Sequence, residues 1–461
     1  MLRFLNPSWG SSSRYGGAKK SSDDQSKLGY ANATSAPILP PELIDPIIDE
    51  VARSQDIQSL RACCLAHSTF VFRSQSHLFK TVDLDKWSPR EKYHRRFHNL
   101  LLTSPHLGAH VRDFRLGDDS EDDYGRDASP WITTSTTLAH TLTLLCRLES
   151  ISISFNSELT DWHAIPSPTR CAITRIFSLQ TLRAVSLDFI SSFPPQLLVT
   201  LTRLPCLALS NVDVDESAPF YVDRPISTFS ENPGLQSLVV KGTSPRTVQV
   251  IAYSLGATHS STLRKLSVGP TFEAGFCEAV CDLLKSKAGG SISSFEWMPP
   301  AHLVIPSAPL DITPLTRLRC LKLLINFHNS HKGPFAQAIC FLSQLASEYN
   351  QVQRISFECH FLQLPCRFNT GGILRRESST SSTKPASGFD VDTWHYLDRV
   401  LSHPAFKELK TVKFELAPSS SVDIDHFRAE MAFKDLGLFT ALREKGINVV
   451  VQVQSATKLG L

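Results

Sequence analysis

The sequence of 461 residues is 42% hydrophobic and 20% charged, and its formal net charge is +3 at pH 7. This composition fits a folded protein, and the near-neutral charge gives no support for a general nucleic-acid or membrane-surface binder. No apolar run reaches the roughly 20 residues that a membrane-spanning helix needs.

The cysteines and the first residues indicate the compartment. The 11 cysteines are scattered through apolar stretches without a CxxC pair, and the start of the chain has no apolar segment typical of a secretory signal. We therefore expect reduced thiols and a cytoplasmic or nuclear location. Residues 1–36 are rich in Ser, Gly, Asn and Lys, which predicts a disordered segment.

Residues 37–85 predict a small helical module. Asp45-Pro46 has the residue types of a helix start, because Asp caps a helix and Pro fits the first helical position. Residues 40–44 are then expected to form a separate tight turn. A second helix starting at Asp56, a third helix over residues 70–79 and a strand over residues 81–84 complete the module.

The module has more apolar residues than it can bury alone. A unit of roughly 50 residues is near the lower limit for independent folding. Three short helices with this many Leu, Ile and Phe side chains should leave an apolar patch, and large patches of this kind mark contact sites. The alternative is that the patch packs against the rest of the chain.

The order of motifs in the module is that of a known family. The chain has the opening Leu39-Pro40-x-Glu42-Leu43, then Ile47-Ile48, then Leu60-x-x-Cys63-Cys64, and it closes with His77-Leu78-Phe79-Lys80-Thr81-Val82. In this layout the module resembles the F-box family, although Phe70 stands where that family usually has Trp and Pro46 falls within the first helix segment. The whole chain resembles fungal F-box proteins with an irregular leucine-rich C-terminal region.

The resemblance implies docking onto Skp1 and, through it, onto a cullin–RING ubiquitin ligase. Carried over by position, the Skp1 contacts would be Leu39, Pro40, Leu43, Ile47, Leu60 and Cys64. From the residues alone, some of these side chains could fill the core of the module instead.

A phrase of the form Leu-x-x-Leu-x-Leu recurs through residues 86–461. Its copies centre on Ile151, Val185, Leu238, Leu266, Leu321 and Val412, with looser copies at Phe114, Leu207, Phe295, Ile355 and Val449. Most copies are about 22 to 37 residues apart, against roughly 20 to 29 in leucine-rich repeats.

Amphipathic helices are predicted between the copies. They cover residues 88–103, 138–148, 272–285, 335–349, 390–401 and 425–445, with one more opening at Ser244-Pro245. Alternating strands and helices predict an α/β fold, an irregular leucine-rich solenoid with parallel strands. A compact doubly wound sheet is the main alternative. A flexible insertion is predicted at residues 365–388, and a strand over residues 447–453 ends the array.

Catalytic signatures are missing from the sequence. It contains no G-x-G-x-x-G, P-loop, G-x-S-x-G or H-E-x-x-H motif, so we expect a protein that is not an enzyme and needs no cofactor or metal. Cys359 and His360, with Cys366, are the strongest candidates for a metal cluster or nucleophile–base pair. Adjacent side chains on a strand point to opposite faces, which favours core packing. Cys277 and Cys281 share a helix face, but further ligands are lacking.

The middle residue of the recurring phrase should point away from the core. Along the array these residues are Ser152, Ser186, Val239, Ser267, Glu296, Lys322, Ser356 and Lys413. We hypothesise that Glu296, Lys322, Ser356 and Lys413 contact a protein substrate; the alternative is that they are only solvated strand residues. The leading interpretation is the substrate adaptor of a ubiquitin ligase, and the alternative is an interaction scaffold without that role.

Overall fold

The structure is a computed structural model that divides into two compact units. Unit 1 comprises residues 1–158 and 163–183, and unit 2 comprises residues 159–162 and 184–461. The described residues are 40–85, 89–118, 131–155, 159–217, 234–256, 262–271, 273–298, 310–326, 335–346, 350–361, 391–418 and 439–453. The predicted disordered segment 1–36 and the predicted flexible insertion 365–388 lie outside them.

Unit 1 opens with the predicted three helices and strand. They are α1 (Pro41–Arg53), α2 (Ile57–Ala66), α3 (Ser68–Leu78) and β1 (Thr81–Asp83). The predicted start of the second helix is confirmed, because the Asp56 carboxylate accepts hydrogen bonds from the backbone amides of Gln58 and Ser59 at 3.1 and 3.0 Å. This is the usual role of Asp at a helix N-cap.

The first helix begins earlier than the sequence predicted. The amides of Leu43 and Ile44 donate to the carbonyl of Pro40 at 2.9 and 3.2 Å, so Pro40 is the N-cap, residues 41–44 belong to the helix, and the predicted separate turn was wrong. Pro46 removes one helical hydrogen bond, the one to the carbonyl of Glu42. Because Glu42 is exposed, water can satisfy that carbonyl, and this makes an interior proline tolerable near the helix start.

The rest of unit 1 adds two parallel strands and four helices. These are α4 (Arg90–Thr103), β2 (Asp113–Gly117), α5 (Trp131–Thr134), α6 (Leu138–Leu144), β3 (Ser150–Ser154) and α7 (Ser167–Phe177). β2 pairs in parallel with both β1 and β3. The helices predicted over residues 88–103 and 138–148 are confirmed with slightly shorter bounds.

Unit 2 is an array of parallel strands alternating with helices and loops. Its first half contains β4 (Thr160–Asp161), β5 (Ala184–Phe193), α8 (Pro195–Leu201), β6 (Cys206–Val214), β7 (Ser237–Lys241), α9 (Pro245–Gly256), β8 (Lys265–Gly269) and α10 (Phe276–Lys285). Its second half contains β9 (Ser294–Trp297), β10 (Cys320–Asn326), α11 (Ala336–Leu345), β11 (Arg354–Phe361), α12 (Val391–Leu401), β12 (Thr411–Pro418), α13 (Thr440–Glu444) and β13 (Asn448–Val453). Of the helix predicted over residues 425–445, residues 425–438 lie outside the described residues.

The strand order of unit 2 distinguishes between the two predicted architectures. From β5 to β13 each strand pairs in parallel with the next one along the chain. A doubly wound sheet reverses its strand order at a switch point. Since this order never reverses, the described part of unit 2 is not doubly wound, and successive α/β steps are added in one direction.

The recurring phrase sets the register of the sheet. Its central residues pair across neighbouring strands in the order Val185, Leu207, Leu238, Leu266, Phe295, Leu321, Ile355, Val412 and Val449. The first eight are buried. In unit 1, Val82, Phe114 and Ile151 align in the same way. Each copy of the phrase therefore contributes one strand, and its central side chain lies in the core in every copy except the last, where Val449 is half-buried.

An aromatic cluster and one carboxylate hold the last helix of the array. The Trp394 ring lies 4.7 Å from Phe335, 5.4 Å from Phe414 and 5.9 Å from Phe439. Asp398, on the same helix as Trp394, is buried and accepts hydrogen bonds from the amides of Ala441 and Leu442, both at 3.1 Å. The first amides of α13 are thus capped by a residue from α12.

We expect Asp398→Ala to loosen α13 and β13 selectively. Losing a helix cap costs about 0.5–2 kcal/mol. Hydrogen exchange on the full chain should show faster exchange in residues 439–453 and unchanged exchange in β5 to β9. Asp282→Ala, which removes an exposed carboxylate from α10, is the matched control. Wild-type protection of residues 439–453 in Asp398→Ala would show that the cap does not hold this helix.

Candidate interaction surfaces

Helix α1 buries one apolar face and exposes another. Ile44 and Ile48 are 3% and 2% exposed, whereas Leu43 and Ile47 are each 53% exposed. Residues four apart lie on the same side of a helix, so Leu43 and Ile47 form one exposed apolar ridge. The module therefore keeps its core closed while leaving this ridge in solvent.

Further apolar side chains are exposed on the neighbouring helices. Ile57 is 43% exposed, and Leu65 and Phe72 are each 70% exposed. Among the described residues, five of the ten large apolar side chains recorded as exposed fall between residues 43 and 72. Scattered exposed apolar residues are normal, but this concentration in one small module is typical of a contact surface.

An ion-pair cluster fixes α1 against α3. Arg73 donates from Nε to Asp49 Oδ1 and from a terminal nitrogen to Oδ2, both at 2.6 Å, and His77 Nε2 lies 2.7 Å from Oδ1. The hydrogen bonds from Arg73 and then from His77 lower the pKa of Asp49 to about 2. Since α1 also carries the exposed ridge, this cluster determines where Leu43 and Ile47 are presented.

The residues carried over as Skp1 contacts fall into three groups. Pro40, Leu43 and Ile47 are exposed, and Cys64 is half-buried. Leu60 is 4% exposed and packs inside the module. It therefore cannot contact a partner directly, and it can affect binding only by supporting the fold of the module. Leu39 lies outside the described residues.

Three exposed residues of the module were missed as contact candidates, namely Ile57, Leu65 and Phe72. Leu65 directly follows Cys64, so it falls about 100° further around the helix, away from the face shared by Leu60 and Cys64. Placing the residues of α2 on a helical wheel would have shown that Leu65 lies on a second apolar side of this helix.

The predicted outward-facing residues of the array share one register position. In unit 2 these residues, together with Ala208, which was not predicted, form one line across the strands, here called the polar row, in the order Ser186, Ala208, Val239, Ser267, Glu296, Lys322, Ser356 and Lys413. The prediction was wrong for Ser267, which is only 1% exposed. Ser152 lies in unit 1, where it pairs with Arg115. Lys322 shows the alternation: it is partly exposed, whereas Leu321 and Leu323 on either side are buried.

The charges of the polar row are already paired within the sheet. Lys322 Nζ lies 2.8 Å from Glu296 Oε1 and 2.7 Å from Glu358 Oε2, and His360 Nε2 lies 2.9 Å from Glu358 Oε1. Lys413 pairs with Glu415 on its own strand. Of the four hypothesised substrate contacts, Glu296, Lys322 and Lys413 are therefore occupied. Ser356 sits in register between the two lysines and carries no charge.

These contacts keep the cluster ionised. Burial alone would lower the pKa of Lys322, but its hydrogen bonds to Glu296 and Glu358 raise the pKa above its usual value. The hydrogen bond from His360, followed by that from Lys322, lowers the pKa of Glu358 to about 2. A partner that bound Lys322 would have to compete with the carboxylates of Glu296 and Glu358. We therefore interpret this ion-pair cluster as a contact that stabilises β9, β10 and β11 against one another.

A histidine cluster lies between α4 and α6 of unit 1. His98 Nε2 is 3.1 Å from His140 Nδ1, and His94 Nε2 is 3.1 Å from the hydroxyl of Thr141. The His94 ring stacks on Trp131 at 4.9 Å. Burial, with a smaller effect of His98, lowers the pKa of His94 to about 4. His94 is thus a neutral core side chain at pH 7.

The cysteine and histidine candidates do not form a reactive site. Cys359 is fully buried, and burial raises the pKa of its thiol far from the range of a reactive thiolate. His360 is half-buried and bonded to Glu358, on the opposite face of the strand. Cys366 lies outside the described residues. Within the described ranges, no group of three or more His, Cys, Asp or Glu residues is arranged to hold a metal ion.

We predict that Asp49→Asn destabilises unit 1 in a pH-dependent way. At pH 7 the loss should be about 1–2 kcal/mol, because the Arg73 guanidinium loses its ionised acceptor. A carboxyl group with a lowered pKa contributes its stability above its unfolded pKa, near 3.8, and loses it as the pH falls toward 2. Urea unfolding should therefore show the two proteins converging as the pH falls. Glu42→Gln is the control, and a gap that did not shrink would contradict the assignment.

We also expect Lys322 and Glu358 to be energetically coupled. A double-mutant cycle with Lys322→Met and Glu358→Gln should give a coupling free energy of about 1 kcal/mol or more, as for other pairs in direct contact. Unfolding can be followed by tryptophan fluorescence, since Trp297 lies on adjacent β9. Lys241→Met with Glu358→Gln is the control cycle. A coupling near zero would mean that solvent screens the pair.

Comparison with known proteins adds no relatives to this description. No protein-family model matches the chain, and a search of curated proteins found no match. Among the described residues, no helix is both long enough and apolar enough to cross a bilayer. What the chain does must therefore be inferred from its exposed apolar ridge and from its charged surfaces.

Proposed function

We propose that the chain is the substrate-recognition adaptor of an SCF-type cullin–RING ubiquitin ligase. In this proposal the N-terminal helices form an F-box-like domain that docks on Skp1, and the C-terminal array is a leucine-rich solenoid that binds a protein substrate. The observation that carries the proposal is the contrast within α1. Ile44 and Ile48 are buried, while Leu43 and Ile47 are half-exposed on the adjacent side.

The exposed ridge provides binding free energy without unfolding the module. Fully burying a Leu or Ile side chain contributes about 1.5–3 kcal/mol, so covering the exposed halves of Leu43 and Ile47 contributes about 2 kcal/mol together. Ile57, Leu65 and Phe72 add further apolar area.

The Asp49–Arg73 contact makes the ridge rigid before a partner arrives. Two parallel hydrogen bonds of 2.6 Å connect α1 to α3, so the helix does not have to be ordered on binding. Preorganisation of this kind raises affinity by reducing the entropy lost in the complex.

The adaptor itself makes and breaks no covalent bond in this proposal. Holding a substrate lysine near the ubiquitin conjugate raises the effective concentration of the two reactants. The parallel strands of unit 2 support this role, because they present successive side chains at fixed spacing along one extended surface.

The proposal predicts that purified Skp1 binds the wild-type chain through the ridge. Leu43→Asp with Ile47→Asp should weaken binding at least 100-fold, since two carboxylates would be buried without partners. The matched control is Leu102→Asp, at a side chain 50% exposed on α4, outside the module. Circular dichroism should show that all three proteins are folded.

Two outcomes would contradict the proposal. Failure of the wild-type chain to bind Skp1, under conditions where an established F-box protein binds, would leave the interaction scaffold as the better interpretation. Equal loss of binding in Leu102→Asp and in the ridge variant would mean that the ridge is not the contact.

A further inference from the structure

A row of cations that form no ion pair within the described part of the chain follows the N-terminal ends of four strands in unit 2. We call it the basic edge, and it consists of Arg264 and Lys265 at β8, Arg319 at β10, Arg354 at β11 and Lys410 at β12. All five residues are exposed. None was among the predicted contact residues, because they occupy the x positions of the recurring phrase.

Backbone hydrogen bonds place three of these cations in one line. The amide of Ser293 donates to the carbonyl of Arg264, and the amide of Arg319 donates to Ser293, both at 2.9 Å. The same ladder continues through Gln353 to Lys410. With strands about 4.8 Å apart, Arg264, Arg319 and Lys410 follow one another at intervals of about 10 Å.

The other two cations occupy the next line of the sheet. Lys265 pairs with Ser294, Ser294 with Cys320, and Cys320 with Arg354. The residues between the cations in both lines are uncharged. The basic edge thus carries five positive charges with no carboxylate interspersed.

The cations of the basic edge differ from the lysines of the polar row. Lys322 and Lys413 are paired with carboxylates, whereas none of the five forms an ion pair with a described residue. Glu408, the nearest carboxylate in sequence to Lys410, forms no ion pair with it. The free positive potential of this sheet therefore lies along its N-terminal edge, away from the pairs that neutralise its centre.

We propose that the basic edge binds an extended, acidic segment of a partner protein, through carboxylate or phosphate groups on that segment. A segment in the extended polyproline II conformation has three residues per turn and rises about 3.1 Å per residue, so anionic groups three residues apart lie on one side of it about 9 Å apart, close to the spacing of the cations. The proposal rests on the proposed function in one respect, namely that the bound partner is the substrate of the adaptor.

An acidic polypeptide suits this edge better than a nucleic acid does. Single-stranded nucleic acids are held by aromatic side chains that stack on bases as well as by cations. The positions between the five cations are Ser293, Ser294, Cys320 and Gln353, and none of them is aromatic. RNA binding is therefore treated as a competing outcome of the test.

The test measures peptide binding to the purified full chain by fluorescence anisotropy. One labelled peptide carries Glu at every third position in a Ser/Ala background, a second carries phosphoserine at those positions, and a third carries Gln there. The triple variant Arg264→Gln, Arg319→Gln and Lys410→Gln removes three charges from the edge. The matched control, Lys285→Gln, Lys287→Gln and Arg443→Gln, removes three exposed charges elsewhere in unit 2.

We expect the Glu or phosphoserine peptide to bind and the Gln peptide to bind at least tenfold more weakly. The edge variant should lose at least tenfold in affinity, and the control variant should stay within twofold of wild type. Tighter binding of the phosphoserine peptide would identify phosphate as the preferred anion, and equal binding would show that carboxylates suffice. Binding should weaken steeply between 50 and 300 mM salt, as expected for exposed charges.

Several results would overturn the proposal. These are equal losses in the edge and control variants, equal binding of the Gln peptide, and tighter binding of a single-stranded RNA than of either anionic peptide. Skp1 binding is measured separately on the same variants. A wild-type chain that binds Skp1 but neither anionic peptide would remove only this inference, and a wild-type chain that binds an anionic peptide but not Skp1 would remove only the adaptor role.

Discussion

The structure depends on one repeated contact, the alignment of a buried aliphatic or aromatic residue with its equivalent on the next parallel strand. In unit 2 this line runs from Val185 to Val412 without a shift at the central position. A slip of one residue would turn every core side chain outward, so the register is strongly specified. The same register determines which side chains are neighbours on the opposite face of the strands, and so which charged residues form ion pairs and which remain in solvent.

The two kinds of surface in this protein arise in different ways. In the helical module an apolar surplus is left over, because α1 has apolar residues on more of its circumference than α2 and α3 can cover. In the array the exposed large apolar side chains are scattered, and the surface of the sheet is distinguished by its charges. Among the described residues, opposite charges are paired at the centre of the strands, whereas the charged residues at the N-terminal ends of β8, β10, β11 and β12 are cations. A partner of the module is thus selected by shape and apolar area, and a partner of the edge by charge.

Much of this could be predicted from the sequence because its signals are local. The strands were found from a six-residue phrase, and the register followed because the phrase has a fixed centre. The capping residue Asp56 was likewise visible within four residues. The start of α1 was misjudged because Asp45-Pro46 is a strong local signal, and burial of Ile44 together with the amide bonds to Pro40 outweighed it.

The details of the candidate sites could not be predicted because they depend on residues far apart in the chain. Lys322 is paired with Glu296 and Glu358, which are 26 and 36 residues away and become neighbours only once three strands align. The basic edge depends on the same alignment of strands. Each of its five cations is an ordinary exposed residue in the sequence, and only the alignment places them next to one another. Leu60 and Leu43 are similar residues in similar helices, and only the packing of three helices buries one and exposes the other.

The cap on α13 also bears on how the array can change in length. Asp398 accepts hydrogen bonds from the amides of Ala441 and Leu442 across a span of more than forty residues, so a side chain distant in sequence stabilises the start of the closing helix. The entropy lost on closing a loop rises only with the logarithm of its length. Changes in the length of the chain between β12 and α13 should therefore be tolerated in evolution, provided that a carboxylate is kept at position 398 and amides remain available to it at the start of the last helix.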